Sequence, residues 1–212
     1  MNEPLQLKYI TAEYLAQFLP KNPIIIEAGA HKGRDALKFH AQWPESTLYC
    51  FEPVPHLFKQ LKEATQHIPS IHCFNLALND KKGAAVFYES VGKIDAASSL
   101  FEPDEYFKEK PIVFNQIEVN TITLDQWAQN QNVTHVDLMW LDLQGAELSA
   151  LKGAISLLPC VKAIHTEVNL IERYKGAPLY DELKMWLESQ GFYVAAEALY
   201  KITWGNALFL KK

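Results

Sequence analysis

Acidic residues stand directly after apolar segments at several places in the chain, and such positions can bind or transform a ligand. Glu27 follows the apolar run III, residues 24–26, and precedes Gly29 and Gly33. Glu52 follows TLYCF, and Asp142 follows VDLMWL. A carboxylate in these places can accept hydrogen bonds from hydroxyls or an ammonium group, or take a proton from a substrate.

The glycines after the first apolar segment have the spacing G-x-x-x-G, from Gly29 to Gly33. The dinucleotide fingerprint G-x-G-x-x-G needs a middle glycine that is missing here, and no Gly-Lys-Ser/Thr ends the turn as in a triphosphate-binding loop. The carboxylate of Glu27 would also repel a pyrophosphate. The segment therefore favours a ligand other than NAD or ATP, although an ordinary strand-to-helix turn also fits it.

Two further polar residues follow the next apolar segments. Glu52 falls where doubly wound folds place the acid that binds ribose hydroxyls, but alone it also fits a surface glutamate before a turn. Asn75 follows the segment IHCF, and its amide can read an adenine edge or tie down the backbone at the strand end. Together with the first loop, these residues favour an adenosine-containing ligand.

The second half of the chain supplies the candidates for proton transfer. Asp142 is the first of them, because the apolar strand before it gives no structural reason for an acid. His165 and Glu167 alternate in VKAIHTEV and point to one face, where either can act as a base or the two can satisfy each other. Glu147 lies in the first turn of a predicted helix, where the helix dipole also favours a carboxylate.

Apolar runs alternate with segments of helical spacing, which predicts an α/β fold of the doubly wound, Rossmann-like type with a mostly parallel sheet. An antiparallel strand pair is expected at the C-terminal edge, and residues 1–212 are expected to form one domain. Ligands of such sheets bind at the carboxyl ends of the strands. Predicted strands span residues 23–28, 47–51, 71–74, 136–141, 161–168, 192–194 and 206–210, and predicted helices span 34–43, 55–67, 123–130, 146–158 and 178–189.

An inserted β segment around residues 84–121 interrupts the alternation. AAVFY and QIEVNT read as two strands that pair antiparallel, and the long span 91–111 lies between them. Loops of this length within a domain are usually functional or mobile. Ser98 and Ser99 are candidate substrate-binding residues in a cover over the acceptor, and a mobile surface loop is the alternative.

Composition limits the partners of the protein. The net charge is −5 and there is no basic stripe, so a DNA or RNA substrate is not expected. We expect no membrane segment, because no apolar run reaches about 18 residues, and no secretory signal at the N-terminus. The three cysteines fit reduced thiols and a cytoplasmic setting. No metal site is expected, and the aromatics Trp43, Trp204 and Phe107 indicate a homo-oligomer only weakly.

The motifs taken together resemble the FkbM family of methyltransferases, which are class I enzymes that use S-adenosylmethionine. They span about two-thirds of the chain, and the longest is the most distinctive: EAGAHKG (27–33), FEPVP (51–55), NLALND (75–80), ITLDQW (122–127), LDLQGAELSALKGA (141–154) and TEV (166–168). The cofactor-binding residues that the resemblance implies are Glu27, Gly29, Ala30, His31, Gly33, Glu52, Pro53, Asn75, Ala77 and Asp142.

The resemblance implies methyl transfer to a hydroxyl of a small molecule or glycan, with Asp142 as the base and Glu167 or His165 as alternatives. The chain departs from the family at Trp140, where lysine is frequent, and at Gln144, where glutamate is frequent. These departures lie outside the cofactor motifs but bear on the base and on the charge of the acceptor. A catalytically silent cofactor-binding scaffold, and less so an NAD-dependent oxidoreductase, are the alternatives.

Overall fold

The computed structural model describes residues 3–200 and 202–212, which form an α/β fold. Its strands are β1 (Leu5–Gln6), β2 (Ile24–Ala28), β3 (Thr47–Phe51), β4 (Ile71–Phe74), β5 (Ala77–Leu78), β6 (Gly83–Val91), β7 (Val113–Ile122), β8 (Val136–Leu141), β9 (Val161–Asn169), β10 (Phe192–Tyr200) and β11 (Trp204–Lys211). Its α-helices are α1 (Ala12–Leu15), α2 (Arg34–Gln42), α3 (Pro55–Thr65), α4 (Leu124–Gln131), α5 (Glu147–Lys152) and α6 (Tyr180–Ser189).

The central sheet has eight strands in the order β1-β10-β11-β9-β8-β2-β3-β4. Strands β9, β8, β2, β3 and β4 run parallel, and β11 pairs antiparallel with both β9 and β10. This confirms the mostly parallel, Rossmann-like sheet with an antiparallel C-terminal addition. The very edge, however, is β1, which adds parallel to β10 and was not predicted.

The apolar strands are continuous because both faces of the sheet are covered. Ile26 and Met139 belong to one core, while their neighbours Ile25 and Leu138 belong to the core on the opposite face. All four side chains have no exposed surface. Alternate side chains point to opposite faces of a strand, so a run without polar residues is what a sheet buried on both sides requires.

Local signals place the helix ends well in most cases. Helix α4 begins as the capping pattern predicts, because the Thr123 hydroxyl accepts a hydrogen bond from the Gln126 N–H at 3.2 Å. Helix α5 is shorter than predicted and ends at Gly153. A Cβ on Gly153 would lie 2.3 Å from the Asn79 carbonyl oxygen, so the backbone of another segment crosses there. The Asp125 carboxylate then accepts the N–H groups of Ser156 and Leu157 in place of a continuing helix.

The insert forms its own three-stranded sheet in the order β5-β7-β6. Strands β6 and β7 pair antiparallel, as the sequence predicts, and the short β5 adds parallel to β7. The span between them is packed rather than loose, because Phe107 is 6% exposed and its ring centroid lies 5.1 Å from that of Tyr174. Trp43 is also buried, so neither of these two aromatics offers an exposed surface to an interface.

The carboxyl ends of β2, β3 and β8 meet at one edge of the sheet, and this is where the insert lies. The Asp142 N–H donates to the Ala28 carbonyl at 3.0 Å, which continues the β2–β8 pairing into the loops. Within residues 3–200 and 202–212, we find no helix with the length and apolar character to span a membrane.

Candidate active site

A cavity with an empty volume of about 970 Å³ opens at the carboxyl ends of β2, β3 and β8. This volume falls at the upper end of the usual range for small-molecule sites, about 300–1,000 Å³. The fold brings together most of the residues that the sequence identified. Those on the cavity wall are Glu27, Gly29, Ala30, His31, Glu52, Pro53, Ala77, Ser98 and Asp142.

The turn after β2 places two strand ends in direct contact. Gly29 has φ +83°, and a Cβ on it would lie 2.0 Å from the Asp142 carbonyl oxygen. Only glycine fits this combination of positive φ and close backbone approach. The N–H groups of Gly29 and Ala30 both donate to the Phe51 carbonyl at 3.0 Å. The loops after β2, β3 and β8 therefore form one rigid floor.

Glu27 is a buried carboxyl with no basic partner, since the described residues contribute no ion pair to it. It is 2% exposed, and the Cys50 thiol donates to its Oε2 at 3.3 Å. Burial raises the pKa of Glu27 to about 8, and the hydrogen bond from Cys50 opposes that rise. A carboxylate has about four acceptor sites, so most of its capacity is free for a ligand in the cavity.

Glu52 is held by backbone groups on both of its oxygens. Oε2 accepts the His31 N–H at 2.8 Å and Oε1 accepts the Val54 N–H at 2.9 Å. Burial raises the pKa of Glu52 to about 7, while the two N–H donors lower it. At 4% exposure it is not the surface glutamate that its sequence position also allowed. Each oxygen keeps a lone pair that can accept from a pair of vicinal hydroxyls.

Asp142 exposes its carboxylate to the open cavity. The Nε2 of Gln144 donates to its Oδ1 at 2.6 Å. The surrounding protein raises the pKa of Asp142 by desolvation, and the bond from Gln144 opposes the rise. A carboxyl with a raised pKa is closer to the working pH of a general base.

Several predicted site residues lie off the cavity wall in the described structure. The Asn75 side chain donates to the carbonyls of Glu52 and Pro53, both at 2.9 Å, so it ties down the backbone. Gly33 begins α2 with φ +82° and packs under Leu61. Asn75 and Gly33 therefore lie behind the cavity wall, and their contact with the cofactor stays a prediction from sequence.

Ser99, His165 and Glu167 are also placed away from the cavity. Ser99 has no exposed surface, and its hydroxyl donates to the Gln144 carbonyl at 2.8 Å. The His165 ring stacks on Trp140 with centroids 3.5 Å apart. Glu167 accepts from Arg173 Nη1 at 2.8 Å instead of pairing with His165. Ser99, His165 and Glu167 thus lie off the cavity wall, and their roles in substrate binding and proton transfer stay predictions from sequence.

Sequence reasoning missed part of the wall. Phe51, Leu57, Leu78, Phe87 and Leu143 supply its apolar area. Phe51, Leu57 and Phe87 belong to predicted strands or helices, where an apolar residue facing a cavity cannot be told from one facing the core. Gln144 and Asp95 were also missed as wall residues, although the departure from the family at Gln144 had marked that position.

The insert closes one side of the cavity through Asp95. Its carboxylate pairs with Lys32 Nζ at 2.6 Å and with His31 Nε2 at 3.2 Å, and its pKa is lowered chiefly by the hydrogen bond from Lys32. Within the described ranges, no cluster of three His, Cys, Asp or Glu side chains has the geometry of a metal site.

A doubly wound sheet with an acid-lined cavity at its switch point defines a class I, Rossmann-like enzyme that binds a nucleoside-containing ligand. The chain belongs to the FkbM methyltransferase family, since the model of the methyltransferase FkbM domain matches residues 27–194. It is therefore a methyltransferase that depends on S-adenosylmethionine.

Curated relatives agree with this family. A 2-O-methyltransferase, NoeI, from Sinorhizobium fredii is 31% identical over 162 residues, which cover 73% of this chain and 67% of the relative. Methyltransferase 1 from Beauveria bassiana is 24% identical over 198 residues, which cover 84% of this chain and 75% of the relative.

Solved structures agree on the fold. A fibrillarin pre-rRNA processing protein from Methanococcus jannaschii superposes with a TM-score of 0.57 at 15% identity, covering 92% of this chain and 70% of that one. Aeropyrum pernix fibrillarin with natively bound S-adenosyl-L-methionine gives a TM-score of 0.52 at 12% identity, covering 91% and 69%. At these identities the similarity concerns architecture alone.

The residues of the cavity fit S-adenosylmethionine by their chemistry. Glu27 and Glu52 offer free acceptor capacity beside an apolar wall. A cationic amino acid, two ribose hydroxyls and an apolar base are complementary to this set.

Proposed function

We propose that the protein transfers a methyl group to a hydroxyl of a small molecule or glycan. The single observation that carries this proposal is the joining of Glu27, Glu52 and Asp142 in one cavity. Two buried carboxyls on one side suit the cofactor, and a third on the other side is free to take a proton. The printed name of the relative NoeI, a 2-O-methyltransferase, supports a hydroxyl acceptor.

Glu27 and Glu52 would hold S-adenosylmethionine, which supplies an electrophilic methyl group when bound. Glu27 would accept from the cofactor's ammonium group, and Glu52 would accept the ribose hydroxyls. Gly29, Ala30, His31, Pro53 and Ala77 would form the surface against which it lies. These residues do no bond-making chemistry, since methyl transfer is a displacement in which alignment and exclusion of water matter most.

Asp142 would take the proton of the acceptor hydroxyl. It is the wall carboxyl that is exposed to the cavity, and a single amide donor contacts it. The buried positions of His165 and Glu167 support Asp142 over both of them.

Residues of the insert would bind the acceptor. Ser98 lies on the cavity wall, and its Oγ accepts the Ser90 N–H at 3.0 Å. Its hydroxyl also pairs with the Ser90 hydroxyl at 3.2 Å, and it can donate to a ligand when Ser90 is the donor of that pair. Asp95, Lys32 and His31 give the rim a mixed charge. A rim with hydroxyl, carboxylate and ammonium groups suits a hydroxyl-rich acceptor such as a sugar.

We also propose that residues 1–212 act as one domain, because β1 near the N-terminus joins the same sheet as β10 and β11. The three cysteines are free thiols, which supports a reducing cytoplasm. A small-molecule or glycan acceptor is favoured over nucleic acid by the net charge of −5. A homo-oligomer stays a prediction from sequence.

The test has a binding step and a transfer step. Thermal unfolding with S-adenosylmethionine, S-adenosylhomocysteine and NAD should show stabilisation by the first two. Radiolabelled methyl transfer to a panel of sugars and hydroxy compounds should then label at least one acceptor. Stabilisation without transfer to any acceptor would favour a silent scaffold, and stabilisation by NAD would favour an oxidoreductase.

The role of Asp142 is tested on the acceptor that this panel identifies. Asp142→Asn should lower kcat by about 10²–10⁴-fold, the usual range for loss of a general base. Its affinity for S-adenosylhomocysteine, measured by calorimetry, should stay within a few-fold of the wild-type value. Full turnover in Asp142→Asn would remove Asp142 as the base.

A further inference from the structure

Gln144 occupies an unusual backbone position beside the cavity. It has φ +52° and is followed by Gly145 with φ +103°. A non-glycine residue at positive φ is uncommon, and other interactions of the fold must offset the backbone strain. Its side chain is 7% exposed and lies on the cavity wall. The turn thus directs a buried amide at Asp142, a carboxyl that is open to the cavity.

The orientation of the Gln144 amide is determined by its partners. Arg173 Nη2 donates to Oε1 at 3.3 Å, and the Tyr174 hydroxyl, 2.9 Å from the same atom, shares its single proton between Oε1 and the Ala97 carbonyl. A guanidinium has donors and no acceptor, so the atom that faces it must be the oxygen. The NH₂ group is therefore turned toward Asp142, whose Oδ1 lies 2.6 Å away.

Arg173 and Tyr174 are themselves anchored. Arg173 Nη1 donates to Glu167 Oε1 at 2.8 Å and to Asn169 Oδ1 at 3.2 Å. Tyr174 has no exposed surface, and its hydroxyl also lies 2.9 Å from the Ala97 carbonyl in the insert. A buried hydrogen-bond network thus runs from Glu167 and Asn169 on β9 through Arg173 to Gln144. Its last group, the Gln144 amide, contacts Asp142.

We propose that Gln144 is a positioning residue for methyl transfer: its amide, oriented by Arg173 and Tyr174, holds the Asp142 carboxylate toward the cavity. The proposal rests on the proposed function, in which Asp142 takes the proton of the acceptor. An amide donates to Asp142, whereas an ionised glutamate would repel it.

Other charged groups around Asp142 shift its pKa in both directions. Arg173 and His31 favour its ionised form, and Asp35 disfavours it. The carboxyls of Glu147 and Glu167 also interact with Asp142 unfavourably. Arg173 loses one contact when Gln144 alone is changed, but Glu167 and Asn169 still hold its guanidinium. A change in the titration of Asp142 in such a variant therefore reports the lost amide donor.

The test measures the pKa of Asp142 directly and needs no acceptor. The full chain is labelled with ¹³C at the aspartate side-chain carboxyl and titrated in the presence of S-adenosylhomocysteine, and Asp142→Asn identifies the Asp142 signal. Gln144→Met keeps the length of the side chain and removes the amide. We expect the pKa of Asp142 to rise by about one unit, because a hydrogen bond to the ionised form is lost.

Two controls separate positioning from general damage. Gln129→Met, on the exposed end of α4, should leave every aspartate signal unchanged. Asp137, which pairs with Lys162 at 2.7 Å on another part of the sheet, should titrate alike in all variants. Tyr174→Phe removes one of the two donors that orient the amide, and we expect a smaller rise in the Asp142 pKa.

The outcomes are distinct. An Asp142 pKa that is unchanged in both Gln144→Met and Tyr174→Phe overturns the proposal, and if Gln144→Met does not fold, Tyr174→Phe alone decides. Equal shifts at Asp142 and Asp137 would also overturn it, since they would indicate a general change in the fold. Full turnover of Asp142→Asn would refute the proposed base and leave this measurement intact, so the two failures are distinguishable.

Discussion

The β2–β3 half and the β8–β9 half of the sheet both place buried acids around the cavity, but the hydrogen-bond partners of these acids differ. In the β2–β3 half, Glu27 has a thiol as its hydrogen-bond donor and Glu52 has one backbone N–H on each oxygen. In the β8–β9 half, Glu147 accepts the N–H groups of Leu143 and Gly145, and Glu167 pairs with Arg173.

This difference distinguishes acids that are free to bind a ligand from acids that stabilise the fold. A buried carboxyl is tolerated when its polar atoms are paired, and Glu147 and Glu167 are paired within the protein. Glu27 lacks a cation and keeps its capacity for one that arrives from the cavity. Asp142 stands between the two groups, because it faces the cavity and is oriented by the scaffold of the second half.

The largest effect is expected where the two halves touch, at Gly29. Gly29→Ala would place a Cβ 2.0 Å from the Asp142 carbonyl oxygen, so the β2 and β8 loops would have to separate. We expect a loss of more than about 3 kcal/mol in the free energy of unfolding, or no folded protein. Urea denaturation followed by circular dichroism measures this loss.

Gly176→Ala is the matched control for that experiment. Gly176 has φ +71°, similar to the +83° of Gly29, but a Cβ there meets nothing within 4 Å. It should cost about 1 kcal/mol, the strain of a side chain at positive φ. Equal losses in the two variants would mean that backbone strain, and not the contact between the halves, explains the need for glycine at position 29.

The next largest effect compares one acid from each half. Glu27→Gln removes the group that can become a carboxylate, so the affinity for S-adenosylmethionine should fall by about tenfold or more with little change in stability. Glu147→Gln should instead lower the stability and leave the affinity for S-adenosylmethionine nearly unchanged. An amide cannot accept from both Leu143 and Gly145, and one buried N–H left unpaired costs about 1–3 kcal/mol.

Calorimetry for binding and thermal unfolding for stability measure this pair of variants. The comparison requires opposite patterns, with binding lost in Glu27→Gln and stability lost in Glu147→Gln. If both variants lost stability and neither lost affinity, Glu27 would be another structural acid, and its place in the cofactor site would have to be given up.

The parts of the fold that follow from local patterns are those that sequence could predict. Strand β8 is an uninterrupted apolar run, and α4 carries its cap at Thr123. Strand β1 has two residues and exposed side chains, so its sequence has no apolar periodicity that would predict a strand. Helix α5 ends where the backbone of Asn79 crosses it, which depends on packing between distant segments.

The candidate site divides in the same way. Acids after strands were identified because strand ends are where ligands bind, and Glu27, Glu52 and Asp142 indeed line the cavity. Ser99 and His165 carry the same chemical groups, but the hydrogen-bond partner of Ser99 and the stacking of His165 on Trp140 arise only in three dimensions. Side-chain type was readable from sequence, whereas side-chain partners were not.

The smallest effect that we predict is a proton released when the cofactor binds. The pKa of Glu27 is raised to about 8 in the free protein, so the group is mostly neutral at pH 7. A cationic ligand favours the carboxylate, so binding lowers this pKa and expels the proton. Below about pH 8 the affinity for S-adenosylmethionine should therefore rise with pH, by at most about tenfold per unit, and become level above it.

Calorimetry at pH 7 in phosphate and in Tris measures the release, because the two buffers take up a proton with different enthalpies. We expect the apparent binding enthalpies to differ in the wild-type protein by an amount equivalent to a fraction of one proton. Glu52, whose pKa is raised to about 7, can contribute as well, and Glu27→Gln separates the two contributions. A buffer dependence that survives in Glu27→Gln would assign the proton to Glu52. Equal enthalpies in both buffers for the wild type would mean that Glu27 is already ionised in the free site, which would make the two halves of the sheet more alike than their hydrogen bonds indicate.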